Sequence, residues 1–351
     1  MRILAMDLGC ASRTITKTSI TVLDTDTGAI ERTAVPTSPH DLLGVLRAHQ
    51  PHRVVLEATR GCGWVVDLSR AAGISEVHIA NPMDEAWRNR TSKTDRKDAD
   101  LLARLSATGQ IRLVHVPERP IREWRELIDY RHFLVHQRTR IKNRIKAILI
   151  NQGISTGRLW NERGMASLAA LGKPLAICEI DELWRGALWT EQMRLREMEE
   201  HLKTVTKRLD ALVLSSEPAK ELLKVDGVGL RAAEIVVATI DNPLRFHHRK
   251  QIGSYFGLAP RVHQSGNKLQ HGRISKTGDA LARAVLVEIV HLGTHNDGWI
   301  RDTYKKHLND DPMRRKRAIV ATARRLVVRL WAKLRDQRKE HPDMTTLPVA
   351  A

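Results

Sequence analysis

The chain has 351 residues, with 58 Lys and Arg against 40 Asp and Glu, a formal net charge of +18 and a sequence pI near 10.3. Such an imbalance calls for a polyanionic partner, and nucleic acid fits better than a membrane because no apolar run approaches a transmembrane length. Three cysteines (Cys10, Cys62, Cys178) with no C-x-x-C pair argue against a disulfide framework or a cysteine zinc site, so a reduced, cytoplasmic compartment is expected.

The start, Met1 to Asp7, enters a strand at once and lacks the cleavage region of a signal peptide. Arg2 to Leu8 is apolar and carries Asp7 at its carboxyl end, Thr14 to Asp24 alternates like a pairing strand, and Ala29 to Val35 reads as a third strand. Ser38-Pro39 opens a helix through Asp41 to His49. Arg53 to Glu57 is a buried strand, Trp64 to Ala72 a helix closed by Gly73, Glu76 to Ala80 a further strand and Asn81-Pro82 a turn. The alternation predicts a mixed sheet flanked by helices.

Lys93-Thr94-Asp95-Arg96-Lys97-Asp98-Ala99-Asp100 then opens a helix. Asp95 and Asp98, three apart, share one helix face, and Ser92 followed by Asp95 reads as a capping pair. Acids are common in first helical turns because they complement the dipole, so these two alone prove nothing. Ligands of open α/β sheets bind beyond the carboxyl ends of strands, where Asp7 sits and near which Glu57 would sit. Asp7, Glu57, Asp95 and Asp98 could therefore converge, and four neighbouring carboxylates need cations; two Mg²⁺ ions meet that need and serve phosphodiester chemistry.

Glu118 to Gln152 reads as a basic helical stretch in which Arg138, Arg140 and Arg144 suit the phosphates of a duplex or folded RNA. Gly153 to Lys173 reads as loop-rich. Leu188, Leu195, Met198, Leu202, Val205, Leu209 and Leu212 make an a/d seam, expected as a coiled-coil arm between protomers, with an antiparallel hairpin against the preceding long helix as the alternative. Past Ser215-Ser216-Glu217-Pro218, Val225-Asp226-Gly227-Val228-Gly229 between two apolar stretches fits a helix-hairpin-helix, whose Gly227 and Gly229 let backbone N–H groups approach a phosphate; a plain αα-turn uses the same residues. Gly257-Leu258-Ala259-Pro260 leads to Ser265-Gly266, then Gly272-Arg273-Ile274-Ser275-Lys276-Thr277-Gly278. This places a hydroxyl amid Arg261, Lys268, Arg273 and Lys276, where cations could hold a phosphodiester. Arg314 to Arg335 forms an amphipathic helix with a core stripe and a cationic back facing nucleic acid, and Glu340 to Ala351 is expected to be disordered.

Met6-Asp7-Leu8-Gly9, Leu56-Glu57-Ala58-Thr59 and the Lys-Thr-Asp-x-x-Asp-Ala run at 93–99 resemble the Asp-Glu-Asp-Asp tetrad of RuvC-like insertion-sequence transposases. Gly-Leu-x-Pro, Ser-Gly and Gly-x-x-Ser-Lys-x-Gly resemble the transposase domain that follows it in that family. The resemblance implies an α/β ribonuclease H-like (RuvC-like) domain at 1–117, basic helices and a coiled coil at 118–215, and a mainly α transposase domain with the helix-hairpin-helix and serine loop at 216–300. A basic helix and tail at 301–351 complete the chain. It also implies a DNA recombinase guided by a bridge RNA, with Ser265 as the nucleophile forming a phosphoserine link and the Mg²⁺-binding tetrad supplied by a partner protomer in a dimer or tetramer. Ser275 is a nearby competitor for the nucleophile. The chain would then act in the prokaryotic cytoplasm, at the nucleoid. Two rivals use the same residues differently: a structure-selective endonuclease with water as nucleophile, and a non-catalytic nucleic-acid-binding protein.

Overall fold

The computed structural model of the protein describes residues 1–9, 16–59, 61–82, 94–265 and 268–347, with side chains described except at 263–265, 268, 269 and 271. It divides into two units, residues 1–122 and 123–351.

In the first unit β1 (Arg2–Asp7), β2 (Lys17–Asp24), β3 (Ile30–Pro36), β4 (Arg53–Glu57) and β5 (Glu76–Ala80) form one mixed sheet in the order β3-β2-β1-β4-β5. β2 runs antiparallel to β1 and β3, whereas β4 is parallel to β1 and β5. Parallel neighbours need crossovers, and α1 (Pro39–His49) and α2 (Cys62–Ala71) supply them. Ser38 starts α1, its Oγ accepting from Asp41 N–H at 3.1 Å, with Pro39 in the first turn. Strand alternation splits the core by face. Leu4 and Met6 of β1 and Val54 and Leu56 of β4 pack against Leu42, Leu46, Val65 and Val66 of α1 and α2. On the other face Ile3, Ala5 and Val55 pack against Leu102, Ala103 and Leu105 of α3 (Asp95–Ala107). Burial on both faces explains why β1 reads as an unbroken apolar run. Thr94 caps α3, its Oγ1 accepting from Lys97 N–H at 3.4 Å. That replaces the expected Ser92 cap; Ser92 and Lys93 lie outside the described residues.

The second unit is mainly helical. The long α4 (Arg119–Asn151) leads into it and pairs with α6 (Leu183–Ser215). Lys142 meets Glu199 (3.6 Å) while Arg131, eleven residues earlier, donates to Thr206 Oγ1 (3.0 Å), so the two helices run antiparallel. Leu188 and Leu195 of the heptad join Ile141, Ile145 and Leu149 of α4 in one core, and Leu202 and Leu209 are buried too. The seam thus serves an intramolecular hairpin; the expectation of a coiled coil between protomers came from a period that both arrangements share. A second expectation is corrected between these helices. The stretch read as loop-rich contains α5 (Glu162–Leu171), capped by Asn161 and closed on α6 by a Gln192 Nε2 bond to Leu168 O (2.5 Å).

The remainder comprises α7 (Glu217–Leu223), α8 (Leu230–Ile240), α9 (Arg249–Tyr255), the hairpin β6 (Pro260–Ser265) and β7 (Lys268–Ile274), α10 (Ala280–Asn296), α11 (Gly298–Leu308) and α12 (Arg315–Glu340). The α12 stripe Leu326, Val327, Leu330, Trp331 and Leu334 is buried, and Trp331 Nε1 donates to Pro243 O (2.9 Å). α12 therefore packs into this body as part of its core. Ser216, fully buried, closes α6, caps α7 and donates to Thr346 O (2.7 Å). The tail expected to be disordered from Glu340 is held in place as far as that contact.

Candidate active site

The four acids of the first unit meet by register and direction. Met6 of β1 lies beside Leu56 of β4, so the next pair along the two parallel strands is Asp7 and Glu57, at the same carboxyl edge. Alternation places both on the face covered by α3. Arg53, at the start of β4, donates to Ser106 O (3.0 Å) near the end of α3, so α3 runs back along β4 and its first turn arrives at that edge. Asp95 is exposed and Asp98 is 3% exposed, packed beside the buried Ala99 and Leu102. Among the described residues no three acids, histidines or cysteines are drawn together as an ion cage, so the acids share an edge rather than a closed cluster. The residues fit a hard divalent cation nonetheless: the donors are all carboxylate oxygens. Two residues beyond Glu57, the buried Thr59 hydroxyl has no hydrogen-bond partner among the described residues.

A third acid of α3 has a different task, one that sequence reasoning missed. Asp100 accepts from Thr21 Oγ1 (2.7 Å) and Arg32 Nε (3.0 Å). Burial pushes its carboxyl up, but those two bonds and the charges of Arg32 and Arg104 hold it below the usual carboxylate range. Asp100 thus pins α3 to β2 and β3. Only its offset from Asp98, two residues along a helix and so off that face, hinted at a separate role.

In the second unit the glycine motifs form a clasp. Gly257 (φ +66°) and Gly278 (φ +75°) lie where the segments before and after the β6–β7 hairpin touch. A Cβ on Gly257 would strike Thr277 O, and one on Gly278 would strike Tyr255 O. Lys276 N–H donates to Gly257 O (3.1 Å) and Ser275 N–H to Ala259 O (2.9 Å). Arg283 of α10, also unforeseen, donates to Thr277 O (2.7 Å) and Gly278 O (3.0 Å). The hairpin grows out of this clasp, and its register pairs Ser265 with Lys268 at the tip; Gly266 and Asn267 lie outside the described residues. Ser275 stays in the clasp, its Oγ 2.9 Å from Thr277 Oγ1.

The comparisons with known proteins match both halves. A transposase model of the DEDD, IS110 type covers residues 16–152, and a model described as the transposase IS116/IS110/IS902 family covers 219–305. The chain is a transposase of the IS110/IS116/IS902 family. Transposase y4rJ of Sinorhizobium fredii is 28% identical to it over 311 residues, 80% of this chain and 76% of that one. The transposase for insertion sequence element IS1111A of Coxiella burnetii is 26% identical, over 81% of this chain and 78% of its own. The transposase for insertion sequence element IS1328 of Yersinia enterocolitica is 23% identical, over 69% and 71%. The matched segments include Glu57, Asp95, Asp98 and Ser265, while Asp7 precedes the first of them.

The other predicted contact residues of the transposase separate into groups. Arg140 and Arg144, four apart on α4, are both exposed, whereas the half-buried Arg138 lies a heptad from Arg131 on the flank facing α6. Arg261, Arg273 and Lys276 are exposed around the hairpin base. Gly227 takes φ +80° between α7 and α8, and Gly229 caps α8. The first bond of α8 runs from Ala232 N–H to Gly229 O, so the preceding N–H groups at that turn lie outside the helical ladder. A Cβ on Gly229 would meet only open space.

Proposed function

We propose that this transposase cleaves and rejoins DNA through a phosphoserine at Ser265, with Asp7, Glu57, Asp95 and Asp98 holding two Mg²⁺ ions. In this reading an element-encoded bridge RNA selects the sites, and the tetrad of one protomer serves the serine of another in a dimer or tetramer. The observation that carries it is the shared edge: β1 and β4 end in Asp7 and Glu57 where α3 begins with Asp95 and Asp98. The mixed sheet of the first unit supports a ribonuclease H-like (RuvC-like) fold. When bound, the ions supply Lewis acidity and offset phosphate charge.

The chain's own residues bind and orient. The carboxylates hold their charge at one sheet edge; Arg261, Lys268, Arg273 and Lys276 hold the phosphate beside the hairpin, and Arg138, Arg140, Arg144 and the Gly227–Gly229 turn hold backbone phosphates elsewhere. The Ser265 Oγ–P bond forms as the P–O bond to the departing strand end breaks, and the serine proton ends on the departing oxygen. Attack by a new strand-end hydroxyl reverses these changes and frees the serine, so joining needs no external energy source. Ser265 is favoured over Ser275 because the latter's hydroxyl and backbone are committed to the clasp.

The decisive experiment compares Ser265→Ala with Ser275→Ala. Ser265→Ala should abolish the denaturant-resistant protein–DNA adduct while DNA affinity changes less than about twofold, and Ser275→Ala should retain the adduct. An adduct that survives in Ser265→Ala overturns the assignment. Nicking without an adduct in that variant indicates water as nucleophile and supports the endonuclease rival.

A further inference from the structure

The positive charge is unevenly spread. Residues 301–340 carry fourteen Lys and Arg against five Asp and Glu, a net +9 of the chain's +18. Part of this is used internally. Lys333 pairs with Glu221 (3.3 Å), Arg314 with Asp311 (3.2 Å) and Arg335 with Asp336 (2.7 Å), while Arg329 lies over the Trp299 ring. Lys305, Lys306, Arg315, Lys316 and Arg317 differ: all are exposed, and among the described residues none has an ion-pair or side-chain hydrogen-bond partner. They stand on either side of the short turn joining α11 to α12, and so form one ridge.

Folding does not explain the ridge. Lys305 and Lys306 suit the last turn of α11, but Arg315, Lys316 and Arg317 fill the first turn of α12, where the dipole disfavours cations and no acid offsets them. Half-buried beside the turn, His307 registers the field: desolvation, then Arg325, Arg324 and Lys306, push its imidazole below its ordinary value. At the crest, Pro312-Met313 interrupts the charge, and Met313 is 91% exposed, the most exposed of the large apolar side chains described. An apolar tip flanked by unpaired cations matches the chemistry of a DNA groove, where bases hold the two phosphate walls and an apolar side chain enters between them. Trp299, covered by Arg329, presents no free platform for stacking an unpaired base.

We propose that the α11–α12 junction is a duplex-DNA contact, with Lys305, Lys306, Arg315, Lys316 and Arg317 on phosphates and Met313 in the groove. None of these six residues belongs to the serine hairpin or the carboxylate set described above. The test is binding of the full chain to a duplex of about 30 base pairs in EDTA, so that no cleavage step enters, with circular dichroism to confirm unchanged helicity. The variant Arg315→Gln, Lys316→Gln, Arg317→Gln should flatten the dependence of log K on log salt by about 2.7; wild type should then lose roughly 40-fold more affinity than the variant between 50 and 200 mM salt. Met313→Ala should weaken binding several-fold with an unchanged salt slope. Equal slopes for wild type and the triple variant overturn the proposal, and so does a change of slope on duplex RNA but not on DNA. Unchanged affinity in Met313→Ala overturns the groove assignment. Because no strand is cut, none of these outcomes depends on Ser265 or the tetrad.

Discussion

Glu234 shows how one residue sets a property of the whole transposase. It lies on α8, 1% exposed, with Arg231 Nη1 3.1 Å away and its own Oε2 without a hydrogen-bond partner among the described residues. Burial pushes its carboxyl up, opposed by Arg231 and Arg131 and reinforced by Asp210, to about 7. The folded value lies above the unfolded one, so the native state holds the proton more tightly. The associated stability is complete below about pH 4.5 and is lost as pH rises through about 7, on the order of 3 kcal/mol in all. The melting temperature should therefore fall between pH 5 and 7.5, then level. Glu234→Gln should remove that slope in thermal melts, and an unchanged slope would locate the titration elsewhere. Nothing in the local sequence Ala233-Glu234-Ile235 marks this acid as buried beyond its place in an apolar helix.

Among the elements, α3 has the most varied duties. Leu102, Ala103 and Leu105 fasten it to the sheet, Asp100 fixes it laterally through Thr21 and Arg32, and its first turn is left to Asp95 and Asp98. Asp100→Asn keeps an acceptor for Thr21 but removes the ion pair with Arg32. It should cost about 1 kcal/mol in denaturant unfolding, the pair being partly exposed, and lower strand cleavage more than DNA affinity. Equal losses of cleavage and affinity would show that the anchor does not serve the acids. The heptad of α6 offers the complementary lesson. Its spacing was legible, yet its partner was not, since a stripe of leucines packs equally well on a second protomer or on α4.

For the whole molecule the two units raise a question of assembly. If the carboxylates of one protomer serve the serine of another, Asp98→Asn and Ser265→Ala protomers, each inactive alone, should recover adduct formation when mixed and allowed to exchange. One site of every mixed dimer would then be intact. No recovery despite demonstrated exchange would place both groups of one site in the same protomer.

The order of residues already carried the strands and helices of the first unit, because alternation, capping at Ser38 and the apolar runs of β1 and β4 act over a few residues. It also offered Asp7, Glu57, Asp95 and Asp98 as a set of carboxylates, and the family resemblance added Ser265, for the phosphodiester exchange proposed above. Packing in three dimensions settled that Asp100 belongs to Arg32, that the leucine seam closes on α4, and that residues 162–171 form a helix where a loop was expected. It also decided that Gly257 and Gly278 are required by backbone contact. Each of those outcomes depends on a partner distant in the chain, and local periodicity carries no record of which partner that will be.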